Sequence, residues 1–296
     1  EPDAAAAPAA AAAQWKFQAV SEASEAPPAS SSSSSSAPTS TREAKRVPRR
    51  ILHMSDTHNL LTERIIREEL PEADILIHTG DFTERGTMKE CEEFNRLLSG
   101  PLKDKYPVRI VIAGNHDLYN VGTEYGKIKQ ALPGATHFLI HEQVEVDGLR
   151  IYGAPWWPGH RWDYRTRSKH PDPAGFERIP MGTDLLLTHG PARGALDEAD
   201  GVSGNHSGSV KLAEEIKKRR PKVHLFGHIH EQRGSTRMGT GGSSSTSTLV
   251  VNSAMTDRWI KPKQLQSGTR RNAGRWHGAH LLLASPSADG WKFSTE

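Results

Sequence analysis

The sequence predicts an α/β fold in which chemically active side chains stand at the carboxyl ends of buried strands. Two observations carry this expectation. Five short runs of β-type apolar residues each end abruptly in polar, ligand-type residues, and helical spacing falls between several of them. Continuous apolar runs of four to six residues suit strands covered on both faces. Strand–helix alternation in turn suits a sheet that receives its ligand at the strand carboxyl ends.

Residues 1–48 are expected to lie outside that fold. Ala4 to Ala13 is nearly pure alanine broken by Pro8, and Ser30 to Ser36 is an unbroken serine run. Such stretches have too little to bury against the entropy of ordering, so 1–48 reads as a disordered low-complexity leader. Residues 49–296 then form one domain with room for a substantial core.

The strands follow in order. Ile51-Leu52-His53-Met54 runs into Ser55-Asp56-Thr57-His58, and Ile75-Leu76-Ile77-His78 into Thr79-Gly80-Asp81. Val108 to Ala113 runs into Gly114-Asn115-His116-Asp117, and Leu185-Leu186-Leu187 into Thr188-His189-Gly190. The fifth, Val223 to Phe226, runs into Gly227-His228-Ile229-His230. Between them, Thr62 to Leu70 reads as a helix, as does the stretch with Met88, Cys91, Phe94, Leu97 and Leu98, which Gly100-Pro101 stops. Ser209 caps a third helix, carrying Val210, Leu212, Ala213 and Ile216 and ended by Pro221. Asp147-Gly148 marks a hairpin between Val144–Val146 and Leu149–Tyr152. Gly239 to Ser247 reads as a loop before a strand Thr248 to Asn252. A last strand pair, around His280–Leu283 and Trp291–Phe293, turns at Asp289-Gly290.

Bulk composition narrows the function. With 38 lysines and arginines against 35 acids, the net charge is +3, and no basic groove with interleaved aromatics calls for nucleic acid. Lys45-Arg46 and Arg49-Arg50 form one basic cluster; Lys217-Lys218-Arg219-Arg220 suits the last turn of a helix. The single cysteine, Cys91, excludes an intrachain disulfide and suits a reducing, cytoplasmic setting. No apolar run approaches a membrane span, and the alanine stretch is too short and too weakly apolar for a signal segment.

The five strand ends form a constellation: Asp56 with His58, Gly80 with Asp81, Gly114 to Asp117, His189, and Gly227 to His230. Each motif alone is more often structural, but together, each after a buried strand, they point to metal. Imidazole with carboxylate suits Zn²⁺, Mn²⁺ or Fe, while Mg²⁺ or Co²⁺ remains compatible. Two cations need about four ligands each, and Asp81, the single acid at its strand end, is the natural bridge. Cations about 3.5–4 Å apart can deprotonate a water between them and neutralise charge on phosphorus during attack.

This arrangement resembles the calcineurin-like metallophosphoesterase superfamily, across roughly Arg50 to Leu283. The strings His78-Thr79-Gly80-Asp81-Phe82-Thr83-Glu84, Tyr152-Gly153-Ala154-Pro155-Trp156, Thr188-His189-Gly190-Pro191 and Phe226-Gly227-His228-Ile229-His230-Glu231 look like its metallophosphoesterase-domain-containing branch. The resemblance implies a four-layer αββα sandwich of two mixed sheets. It implies a first metal on Asp56, His58, Asp81 and His230, and a second on Asp81, Asn115, His189 and His228. His116 would be the general acid, oriented by Glu84 or Asp117. The branch is linked to phosphodiesters such as cyclic nucleotides, which makes a small nucleotide-like phosphoester the expected substrate. Some members carry Gly where His228 stands; this chain keeps the His. The stretch Trp157 to Pro180 does not align with the branch, and the loop after Gly239 reads as an insertion.

The alternatives are a protein or small-molecule phosphomonoesterase, which the string Gly80 to Gly86 invites, and a scaffold that has lost catalysis, against which all seven ligand positions and His116 are filled. His53, His78 and His224 read as core histidines, Asn205-His206-Ser207 as a turn, and Trp156 and Trp157 as packing rather than a base-stacking pair. Arg85 reads equally as a phosphate contact or a surface ion pair.

Overall fold

The computed structural model describes residues 47–122, 124–156, 162–163, 168–169, 175–199, 204–239, 247–256, 278–288 and 290–295. Nearly all of the expected leader, Trp157 and most of the stretch after it, the centre of the Gly/Ser loop and Asp289 lie outside the described residues.

Along the first half run β1 (Arg49–Met54), α1 (Glu63–Glu68), β2 (Ile75–His78), α2 (Met88–Ser99), α3 (Pro101–Lys105), β3 (Val108–Val111), α4 (Asn115–Leu118), α5 (Tyr125–Ala131) and β4 (His137–Phe138). Then come β5 (Glu142–Val146), β6 (Leu149–Gly153), the short β7 (Trp162–Asp163) and β8 (Ser168–Lys169), and β9 (Leu185–Leu187). The chain continues through α6 (Val210–Arg219), β10 (Val223–Phe226), β11 (Gly234–Gly239), β12 (Ser247–Asn252), β13 (His280–Ser287) and β14 (Gly290–Thr295).

The strands sort into two six-stranded mixed sheets, ordered β14-β13-β1-β2-β3-β4 and β11-β12-β10-β9-β6-β5. The inner strands of each are parallel, and β13, β14, β5 and β11 add antiparallel partners. Side chains alternate between faces. Ile51, Ile75, Ile77 and Ile110 meet Ile151, Leu185, Leu187, Leu225 and Val251 between the sheets. Leu52, Leu76 and Val111 point the other way, onto Ile66, Phe94, Leu97 and Leu98 of the helices. Leu186, Phe226 and Val250 face Leu212, Ala213 and Ile216 of α6. The result is the expected order helix, sheet, sheet, helix. Each fully buried Ile or Leu contributes about 1.5–3 kcal/mol relative to exposure, so three separate apolar layers hold the sandwich.

Local signals explain most boundaries. Thr87 and Glu90 close a capping box on α2, Thr62 caps α1 through the Ile65 N–H, and Ser209 caps α6 through the Leu212 N–H. The hairpin turns as expected, with Asp147 and Gly148 both left-handed at φ 51° and 80°. Gly100 does end α2, but Pro101 then opens α3 at its first turn, where its missing N–H costs nothing. Strand β3 ends at Val111, two residues before the expected Ala113. Among the described residues, no helix is long and apolar enough to cross a membrane.

Candidate metal centre

Every expected ligand lies just beyond the carboxyl end of a parallel strand: Asp56 and His58 after β1, Asp81 after β2, Asn115 after β3, His189 after β9, His228 and His230 after β10. The structure brings them together across the seam of the two sheets. Ligand atoms of Asp56, His58 and His230 lie within 4.8 Å of one another, as do those of Asp81, His189 and His228. His58, Asp81 and His116 form a third such group, so Asp81 belongs to two. Asp56 Oδ1 is 3.2 Å from His230 Nε2, Asp81 Oδ2 is 3.2 Å from His189 Nε2, and Asn115 Oδ1 is 3.0 Å from that same nitrogen.

The backbone bends sharply to do this. Asp56, His58, Asp81 and His228 have positive φ (56°, 42°, 55° and 68°), a conformation costing about 1–3 kcal/mol each for residues other than glycine. The motif glycines make the approach possible. A side chain at Gly227 would collide with the Asp56 carboxylate and Ser55 Oγ, and one at Gly114 with Asp81 and His189.

Three imidazoles are aimed by backbone carbonyls, which can only accept. His189 Nδ1 donates to Thr79 O (2.8 Å), His230 Nδ1 to Thr256 O (2.6 Å) and His58 Nδ1 to Thr83 O (3.3 Å). Each therefore turns Nε2 toward the two carboxylates, the arrangement metal-ligating histidines adopt. These carbonyls were not readable in the sequence, because a backbone oxygen leaves no residue-type signal.

His116 Nδ1 donates to the backbone oxygen of Glu84 at 2.6 Å. The Glu84 carboxylate lies 3.9 Å from His58 Nδ1. Asp117, the other candidate to orient His116, has a different task. Its buried carboxylate accepts from the N–H groups of Asp81, Gly114 and Thr83 and from Thr83 Oγ1, at 2.7–2.9 Å. It fastens the loop carrying Asp81 to the one carrying Asn115. An acid within one residue of a histidine looks like its partner on paper; here the short helix α4 turns it inward.

The three histidines expected in the core, His53, His78 and His224, are fully buried there. His53 sits between Thr79 Oγ1 and Ser253 Oγ, His78 between Thr57 Oγ1 and the Gly80 N–H, and His224 against Thr188 Oγ1. Trp156 is 2% exposed and packs edge-on against Phe176, which rules it out as a base-stacking surface. Asn205 and Ser207 hold a turn with Ala199 and Asp197.

Charge is strongly organised. Burial alone would raise Asp56, but His230, then His189 and His58, hold it well below the usual carboxylate range. Asp81 is likewise lowered against burial by His189, His116 and His58. Burial lowers His189, yet the charge and hydrogen bond of Asp81, with Asp56 behind it, push it up to about 9. His230 is raised in the same way by Asp56. Burial leaves His58 at about 4 and His228 at about 3. It also pushes Asp117 up to about 7, with the Asp81 charge adding to it against the donors from Gly114 and Thr83. Positive charge is thus wanted where the imidazoles meet Asp56 and Asp81. Four histidines, two aspartates and an asparagine make a mixed nitrogen and oxygen donor set that fits divalent transition-metal ions.

Two mixed sheets between helix layers, with this donor set at their shared carboxyl edge, are the architecture of a metallophosphoesterase, a hydrolase of phosphoric esters. The chain belongs to the calcineurin-like phosphoesterase family, whose family model matches residues 49–232. Metallophosphoesterase domain-containing protein 1 of Homo sapiens is 35% identical over 226 residues, covering 69% of this chain and 67% of that protein. A UPF0046 protein of Caenorhabditis elegans is 34% identical over 237 residues, covering 72% and 77%. Among solved structures, the protein TT1561 of Thermus thermophilus is similar with a TM-score of 0.49 at 14% identity, covering 83% of this chain and 98% of that one.

Proposed function

We propose that this chain is a phosphodiesterase of small, nucleotide-like substrates, using two divalent cations. The observation that carries the reading is the convergence of carbonyl-anchored imidazoles on two buried carboxylates. Asp56, His58, Asp81 and His230 would hold one cation; Asp81, Asn115, His189 and His228 the other. Bound there, the cations supply Lewis-acid activation of water and neutralisation of phosphoryl charge.

The chain's own groups supply the rest. His116 is half-buried at the same cluster, and the Glu84 carbonyl holds its Nδ1–H. The imidazolium can therefore give up its Nε2 proton and remain a stable neutral tautomer. As the water oxygen bonds to phosphorus and the bond to the leaving oxygen breaks, that oxygen takes the His116 proton. The water's proton passes to solvent, from which His116 is recharged. Asp117 keeps the Asp81 and Asn115 loops in register during the cycle. Preference for diesters rests on the likeness to the metallophosphoesterase-domain-containing branch.

The test is turnover of bis-p-nitrophenyl phosphate and p-nitrophenyl phosphate by protein stripped of metal and reloaded with Mn²⁺. Metal-dependent preference for the diester supports the reading. Preference for the monoester makes the chain a phosphatase, and no turnover with metal bound makes it a scaffold.

A further inference from the structure

Tyr119 is 67% exposed, an unusual position for a large aromatic. Of the exposed large apolar residues among those described (Val47, Met88, Tyr119, Met181 and Val210), it is the aromatic one, and it adjoins the helix that carries Asn115 and His116. Burial along that turn shows which way it faces. Asp117 and Leu118 are buried, Asn115 and His116 half-buried, and Tyr119 exposed. With Tyr119 still helical at φ −54° and ψ −44°, residues three and four apart are face neighbours, their Cβ atoms about 5–6 Å apart. Tyr119 therefore shares the open face with His116, three residues back, and Asn115, four back.

The turn is also braced. The Tyr119 N–H donates to His116 O at 3.2 Å, and Gly122 N–H to Leu118 O at 2.7 Å. The Asn120 amide donates to the Arg85 carbonyl at 2.6 Å. Behind it, Gly86 lies against the carbonyls of His116 and Asp117, with no room for a side chain. A ring on a braced turn, with two rotatable bonds, loses little freedom when something lies on it.

We propose that Tyr119 is a stacking platform on the leaving-group side of the centre, selecting phosphoesters that carry a planar aromatic group of nucleobase type. The inference rests on the phosphodiesterase reading and adds the part of the substrate that is recognised. The side follows from His116: a group three residues from the proton donor meets the portion of substrate that departs with the proton.

The test compares AMP with ribose 5-phosphate, which share sugar and phosphate and differ by the base. Binding to the full chain loaded with Mn²⁺ is measured by calorimetry for wild type, Tyr119→Ala and Tyr119→Phe. A stacked base should give wild type about a tenfold preference for AMP. Tyr119→Ala should lose that preference and Tyr119→Phe keep it, with ribose 5-phosphate binding equally to all three. An unchanged thermal midpoint confirms that the exposed substitution leaves the fold intact. If wild type hydrolyses the diester yet binds both ligands equally, or if Tyr119→Ala keeps the preference, the platform is refuted and the phosphodiesterase reading stands. If wild type neither hydrolyses the diester nor binds either ligand, both fall.

Discussion

Filling the centre with metal should expel protons, and the structure says roughly how many. In the metal-free protein His189 is held up at about 9 by Asp81 and Asp56, so at pH 7 it is largely protonated. A cation needs the neutral ring, so binding releases about one proton from this residue, with His230, also raised, adding in the same direction. Competition by the His189 proton puts the apparent affinity at pH 7 about 100-fold below its limit, and affinity climbs about tenfold per pH unit toward pH 9. Stability of the stripped protein moves oppositely. A folded-state value above the ordinary 6.5 stabilises fully below pH 6.5 and is lost as pH rises through about 9. At 1.36 kcal/mol per unit that loss is about 3 kcal/mol, or roughly 6–12 °C in thermal midpoint for a domain of this size. Asp56 and Asp81, both lowered, lose their contribution only in acid, outside that window. Calorimetry in buffers of different ionisation enthalpy counts the protons, and melts of stripped and Mn²⁺-loaded protein from pH 6.5 to 9 follow stability. No proton release at pH 7, together with a flat midpoint for the stripped protein, would refute the imidazolium–carboxylate pairing.

Other expectations follow from single contacts. His116→Ala should keep its metal content while turnover falls about 10²–10⁴-fold, most for poor leaving groups; equal rates with good and poor leaving groups would remove it as general acid. Gly227→Ala should lower the thermal midpoint and cut metal affinity at least about tenfold, because the added methyl meets the Asp56 carboxylate; metal titration against wild type checks it. Thr87→Ala breaks the α2 capping box and should cost about 1 kcal/mol in urea unfolding without changing metal content.

Much of this was legible in the sequence, for a physical reason. Doubly covered strands such as Ile75–His78 announce themselves as unbroken apolar runs, and a polar residue such as Asp81 at the end of one stands out. What escaped was carried by backbone or by distant pairing. The carbonyls of Thr79, Thr83, Glu84 and Thr256 aim four imidazoles, yet any residue could supply them. Edge strand β11 has one buried apolar residue, Met238, among Gly, Ser, Thr and Arg, and its ladder to β12 rather than an apolar pattern places it. The placement of β13 beside β1 depends on residues more than 200 positions apart. The sequence leaves Glu84 and Asp117 both open as partners of His116, because it does not show the direction in which a four-residue helix turns its side chains.

The seam between the sheets has a bearing on how the protein is made. Asp56, His58, Asp81 and Asn115 all follow strands of one sheet, and His189, His228 and His230 follow strands of the other. A chain growing from its N-terminus thus presents an oxygen-rich half of the centre more than 70 residues before the first histidine of the second half. Neither half alone offers a closed donor set. Tight capture of an ion would then be a receipt for completed assembly, issued only once both ends of the ligand set have left the ribosome and docked.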